Sequence, residues 1–155
     1  MKLQTIALLL LSLNNINCIS QKKTENKNSH SILKQINTIE KIQLKELTRG
    51  RNRIYTFSPD ALHINLNGAD TQQELSPANW ENMARQAALL DLSKISTYAA
   101  PTTGRYSDSA LSSTIIITSA GKTYESASFD EGIPPKELEG LYLLLKGKSK
   151  IIKKQ

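Results

Sequence analysis

The sequence predicts an α+β domain in the element order β-β-β-α-β-β-α, an antiparallel sheet with two helices packed on one face. Three observations carry that prediction. Apolar and polar residues alternate with period two in several short runs, as strands with one covered and one wet face require. Two later stretches change to helical spacing, and each is opened by proline. Glycine or asparagine punctuates the strand runs at turn spacing.

The elements follow in order. Ile42 and Leu44 alternate with Lys41, Gln43 and Lys45, which makes a half-buried strand. Arg49-Gly50-Arg51-Asn52-Arg53 turns the chain, and β-branched and aromatic Ile54-Tyr55-Thr56-Phe57 forms the second strand. After Ser58-Pro59-Asp60, Leu62, Ile64 and Leu66 alternate with His63, Asn65 and Asn67 until Asn67-Gly68 ends the strand. Ser76-Pro77 reads as an N-cap with proline at the first helical position, and loss of that cap is expected to cost about 1 kcal/mol. Trp80, Met83, Ala84, Ala87 and Leu90 then share one face, with Trp80 as a core anchor. Residues 93–113 read as a long loop with an edge strand around Ile95 to Tyr98. Thr114 to Thr118 is a strand, Ser119 to Lys122 a turn, and Thr123 to Phe129 the returning strand. The last helix starts at Pro134-Pro135 and stacks Leu138, Leu141, Tyr142 and Leu145 on one stripe. Gly140 inside it implies close packing against the sheet.

Charge is unevenly distributed. The chain of 155 residues carries a net +6, yet residues 54–145 hold five Lys/Arg against eleven Asp/Glu. The basic charge lies in residues 22–53 and in the five lysines of 146–155. A nucleic-acid module is expected to carry positive charge over its folded face, so nucleic acid is not the expected partner. The single cysteine, Cys18, excludes a disulfide framework and a cysteine-based zinc site.

Cys18 lies where an apolar N-terminal run ends. Met1-Lys2 and the stretch Leu3 to Leu13 have signal-peptide order, and about eleven residues fall short of a membrane-spanning helix. Residues 19–35 follow as a polar tether, a single domain spans 36–146, and 147–155 form a basic tail. Two processing sites compete. In one, Cys18 is lipidated and becomes the first mature residue. In the other, cleavage follows Ser20, and Cys18 with Ser20 supplies the small residues of an ordinary signal-peptidase site.

The signal segment with Cys18, the polar tether and the closing stretch GKTYESASFDEGIPPKEL resemble small bacterial envelope lipoproteins of uncharacterised function. The positions before the cysteine depart from that family's box, with Asn15 and Asn17 where Leu-like and small residues are usual. The resemblance implies export, a lipid anchor on Cys18 and attachment to a membrane of the cell envelope, and it implies no reaction.

No catalytic set, cofactor site or metal site emerges from the remaining motifs. Ala120-Gly121-Lys122-Thr123 lacks the first glycine of a phosphate loop and precedes a strand, so it reads as a hairpin. His63 sits on the polar face of a strand with no acid near in sequence. Arg49, Arg51 and Arg53 read as a solvated turn. The loop 93–113 is the expected interaction segment, through Tyr98, Arg105, Tyr106 and Asp108. The expected function is a non-enzymatic envelope binding module. The alternatives are a secreted, inhibitor-like soluble binder and an envelope hydrolase in which the fold assembles a site around His63 as base.

Overall fold

Strand β1 (Ile39–Thr48) is the hub of the computed structural model, which describes residues 34–107 and 110–150. Its antiparallel neighbours are β2 (Arg51–Phe57) and β5 (Ser112–Ser119). Outward from β2 lie β3 (Ala61–Leu66) and β4 (Ala69–Glu74), and outward from β5 lies β6 (Lys122–Glu125). A two-residue strand, β7 (Phe129–Asp130), also pairs with β5, so the sheet has seven strands in the order β4-β3-β2-β1-β5-β6 with β7 off that path. The helices are α1 (Pro77–Ala88) and α2 (Glu139–Lys150). Among the described residues no helix is long and apolar enough to cross a membrane. The signal segment, Cys18 and the last five residues lie outside the described residues.

Register explains why both helices share one face. Ile42 stands between Phe57 and Ile117, and Leu44 between Tyr55 and Ile115. Tyr55 in turn faces Ile64, and Phe57 faces Leu62. All of these side chains lie on one side of the sheet and join a single core with Met83, Ala84 and Ala87 of α1 and Leu141, Tyr142 and Leu145 of α2. Full burial of each large aliphatic side chain contributes about 1.5–3 kcal/mol. Trp80 is half-buried against the rim of this core rather than inside it. Ile36, in a stretch where residues 34–36 are helical, also packs on the rim.

The structure departs from the sequence expectation in several places, each for a local reason. A fourth strand follows Asn67-Gly68. Both turn residues have positive φ (54° and 92°), the geometry that closes a two-residue hairpin, and Asn65 Oδ1 accepts from the Gly68 N–H at 3.0 Å. All six residues of β4 are exposed because the helical layer does not reach that far, so the strand carries no alternation to read. The predicted edge strand near Ile95 is a 3₁₀ helix, Leu92–Thr97. Leu92, Ile95 and Tyr98, spaced by three, all meet the core, which is the period of a 3₁₀ turn. The returning strand is broken after Glu125. There the Ser126 Oγ accepts from the Ile115 N–H at 3.0 Å and takes a place in the ladder that a backbone carbonyl would fill.

Three smaller expectations also change. Ser76 is the N-cap of α1, but its hydroxyl makes no capping hydrogen bond. A Cβ on Gly140 would stand 2.7 Å from Gln86 Oε1, so the close approach is to helix α1 and not to the sheet. Helix α2 continues through Lys150, with Ser149 buried.

Candidate functional site

The segment from residue 93 to 113, expected from the sequence to interact, is organised around a residue that sequence reasoning did not single out. Asp130, at the end of β7, is 8% exposed and points its carboxylate into the chain at Thr102 to Arg105. The Thr102 hydroxyl and the Gly104 N–H (2.7 Å) donate to Oδ2, and the Arg105 N–H donates to Oδ1 at 2.6 Å. The Arg105 guanidinium lies 3.6 Å from Oδ1 and also donates to the Thr102 carbonyl. These bonds close the 3₁₀ turn Gly104–Tyr106. Gly104 suits the close approach, since a Cβ there would stand 3.1 Å from Asp130 Oδ2 and ask the carboxylate to give by a few tenths of an ångström.

The Thr102 hydroxyl is the largest influence on the Asp130 carboxyl. It acts with the two backbone N–H groups and the Arg105 charge to hold the group below the usual carboxylate range, against the opposing effect of burial. A carboxylate that stays ionised keeps all of its acceptor capacity, so the turn is locked at neutral pH.

On this turn Arg105 and Tyr106 form a pair. The guanidinium carbon lies 4.5 Å from the ring centre, and Nη2 donates to the Tyr106 hydroxyl at 3.1 Å. Tyr106 is 76% exposed, the most exposed of the large apolar side chains among the described residues. Ile133, also exposed, is tied to the same aspartate through its N–H to the Asp130 carbonyl at 2.9 Å. Tyr98 does not join this display. It packs on the core, and its hydroxyl donates to the Asp91 carbonyl at 3.3 Å. Asp108 lies outside the described residues.

A second polar cluster adjoins the first through Glu131, the residue after Asp130, and draws Lys146 from α2. Glu46 follows Ile42 and Leu44 on the core-facing side of β1 and is fully buried. Lys146 Nζ lies 2.5 Å from Glu46 Oε1 and 2.7 Å from Glu131 Oε1, and Arg53 stands 3.7 Å from Glu46 Oε2. Burial disfavours the charged form of Lys146, but its hydrogen bonds to Glu131 and Glu46 outweigh that effect and raise its pKa. Burial likewise pushes up the phenols of Tyr55 and Tyr142. The Tyr142 hydroxyl accepts from the Gly132 N–H at 2.8 Å and its ring meets Phe129 edge-on. This cluster ties α2 to the sheet.

The other sequence candidates are dispersed. His63 is exposed on the open sheet face between Thr56 and Gln72, and no hydrogen bond or ion pair reaches its side chain among the described residues. The Thr56 hydroxyl is engaged by Gln43 at 2.9 Å. Ala120-Gly121 is a two-residue turn with positive φ at both positions, joining β5 to β6. Arg49 and Arg51 are solvated, whereas Arg53 turns in toward Glu46. No group of three or more His, Cys, Asp or Glu among the described residues is placed to hold a metal ion.

No family model, curated protein or solved structure matches the chain.

Proposed function

We propose that the protein is a non-enzymatic binding module, held at the cell envelope by a lipid on Cys18, which presents Tyr106 to a protein partner, with the largely buried Arg105 side chain backing the ring. The observation that supports this reading is the exposed Tyr106 on a turn fixed by a buried carboxylate. An exposed aromatic ring has no use for such a lock in the packing of the domain itself. Tyrosine is enriched at interfaces, and a turn already held in one conformation loses little entropy on binding. The exposed Ile133 supplies apolar surface beside the same aspartate.

The polar composition of the segment after Cys18 suits a tether between such an anchor and the module, and the acidic body argues against nucleic acid as partner. Cleavage after Ser20 would release the same binding surface as a soluble, inhibitor-like protein. The hydrolase alternative finds no support, because among the described residues His63 has neither an orienting acid nor a nucleophile placed on it.

A photo-crosslinking amino acid at position 106, in cells expressing the full chain, tests the surface. A discrete crosslinked partner is expected from position 106 and none from position 116 on the open sheet face. The reverse pattern would overturn the assignment. Tyr106→Ala is expected to weaken capture of that partner at least tenfold while leaving the thermal midpoint unchanged. The anchor is tested separately by intact mass. A diacyl increment lost in Cys18→Ala supports it, and an unmodified chain starting at Gln21 refutes it.

A further inference from the structure

The two edges of the sheet are treated differently. The β6 edge is packed by the 3₁₀ helix Leu92–Thr97. The β4 edge has no strand or helix of the described residues on its outer side. Hairpin geometry fixes which groups face outward there. The flanking pair of the Asn67-Gly68 turn, Leu66 and Ala69, is hydrogen-bonded, and so are the pairs Ile64–Thr71 and Leu62–Gln73. The N–H and C=O groups of Asp70, Gln72 and Glu74 therefore point away from the sheet. Their side chains stand on the open face, in register with Asn65, His63 and Ala61.

The chemistry of this edge is one-sided. Between Ile54 and Ala84 the chain has Asp60, Asp70, Glu74 and Glu81 and no lysine or arginine. Asp60 lies beside the end of β4, since its carbonyl accepts from the Leu75 N–H at 2.9 Å. The residues that offer free backbone groups are thus the ones that carry, or neighbour, negative charge.

We propose that the outer edge of β4 accepts an extended basic segment of a partner protein as an added strand. The backbone of Asp70, Gln72 and Glu74 supplies the pairing, and the two carboxylates select lysine or arginine at positions four apart in the incoming strand. A second copy of this chain is the wrong occupant. Full-length antiparallel pairing of two β4 strands would set Asp70 directly opposite Glu74 at both ends, and like charges at paired positions are destabilising. A basic strand turns the same two positions into opposite-charge pairs. This surface lies on β4 and is independent of Tyr106.

The test uses the full chain and a fluorescent peptide, Thr-Lys-Val-Gln-Val-Lys-Thr, whose lysines would oppose Glu74 and Asp70. Saturable binding is expected at low salt, with slowed amide exchange at Asp70, Gln72 and Glu74. The Asp70→Lys/Glu74→Lys double variant is expected to bind at least tenfold more weakly while unfolding at the same temperature. N-methylation of the peptide backbone at the pairing positions should abolish binding. The proposal is overturned by binding that ignores N-methylation, which would be charge attraction alone. It is also overturned if no binding occurs, which would leave the acids as edge protection only. Protection of these three amides in the free protein would do the same, since that edge would be filled by the chain itself or by a second copy.

Discussion

Asp130 and Glu46 are both buried carboxylates on strands that meet α2's surroundings, yet they do opposite work. Glu46 is paired with side-chain cations that come from β2 and α2, Lys146 bonding Oε1 and Arg53 facing an Oε2 that has no hydrogen bond, so it ties layers of the domain together. Asp130 is satisfied mainly by a hydroxyl and two backbone N–H groups from one short turn, so it shapes a surface loop. The difference teaches where a buried charge is spent on stability and where on display. Removing a cation from the first should loosen the whole domain. Removing the second should release a loop and little else.

The largest effect is expected at Lys146. Lys146→Met leaves Glu46 buried without its closest partner and should cost about 3–5 kcal/mol, measured by urea unfolding. Glu46→Leu combined with Lys146→Met should recover most of that loss, because an apolar pair of similar volume replaces the ion pair. Failure of the double variant to recover would show that Glu46 does more than hold α2. Asp130→Asn should behave differently. Global unfolding should shift less than in Lys146→Met, while amide exchange at Gly104 and Arg105 accelerates and the turn becomes sensitive to protease. A loss equal to that of Lys146→Met would erase the distinction between the two sites.

Titration separates them further. The folded-state pKa of Asp130 is depressed, so its contribution is present above the ordinary carboxylate value near 3.9 and is lost as pH falls through the depressed value. Lys146 has a raised folded-state pKa. Its contribution is complete below the ordinary lysine value near 10.4 and is lost as pH rises through the raised value. Acid should therefore free the Arg105–Tyr106 turn, and alkali should weaken the hold on α2, each followed by residue-level exchange. The smallest effect belongs to Ser76→Ala. Its hydroxyl makes no capping bond, so the change should stay within about 0.5 kcal/mol.

The same pair of residues shows how much was legible in the sequence. The central strands were, because Ile42, Leu44, Ile64, Ile115 and Ile117 alternate along strands with one covered face. Glu46 keeps the parity of Ile42 and Leu44, and an acid on that parity is a readable sign of a buried charge. Its partner Lys146 is not readable, since no local pattern links residues that distant in the chain. Asp130 looks like an ordinary turn residue until the fold brings Thr102 to it. Of the foreseen interaction residues, Arg105 and Tyr106 share the displayed turn, while Tyr98 went to the core on a three-residue period mistaken for an edge strand. Strand β4 was invisible for a plainer reason. A strand outside the helical layer buries nothing, so its residues leave no hydrophobic signature.

The order of the strands also sets a schedule for synthesis. Strands β1 to β4 form a meander of adjacent hairpins and can close as soon as they emerge. The second neighbour of β1 is β5, which is made only after α1 and the whole Asp130-bound loop. Until then Ile42 and Leu44 stand on a strand with a bare side, guarded only by Lys41 and Lys45 on the opposite face. A chain halted before Ser112 is thus a sheet with its centre exposed at its border. Such a fragment is the species most prone to join its own kind.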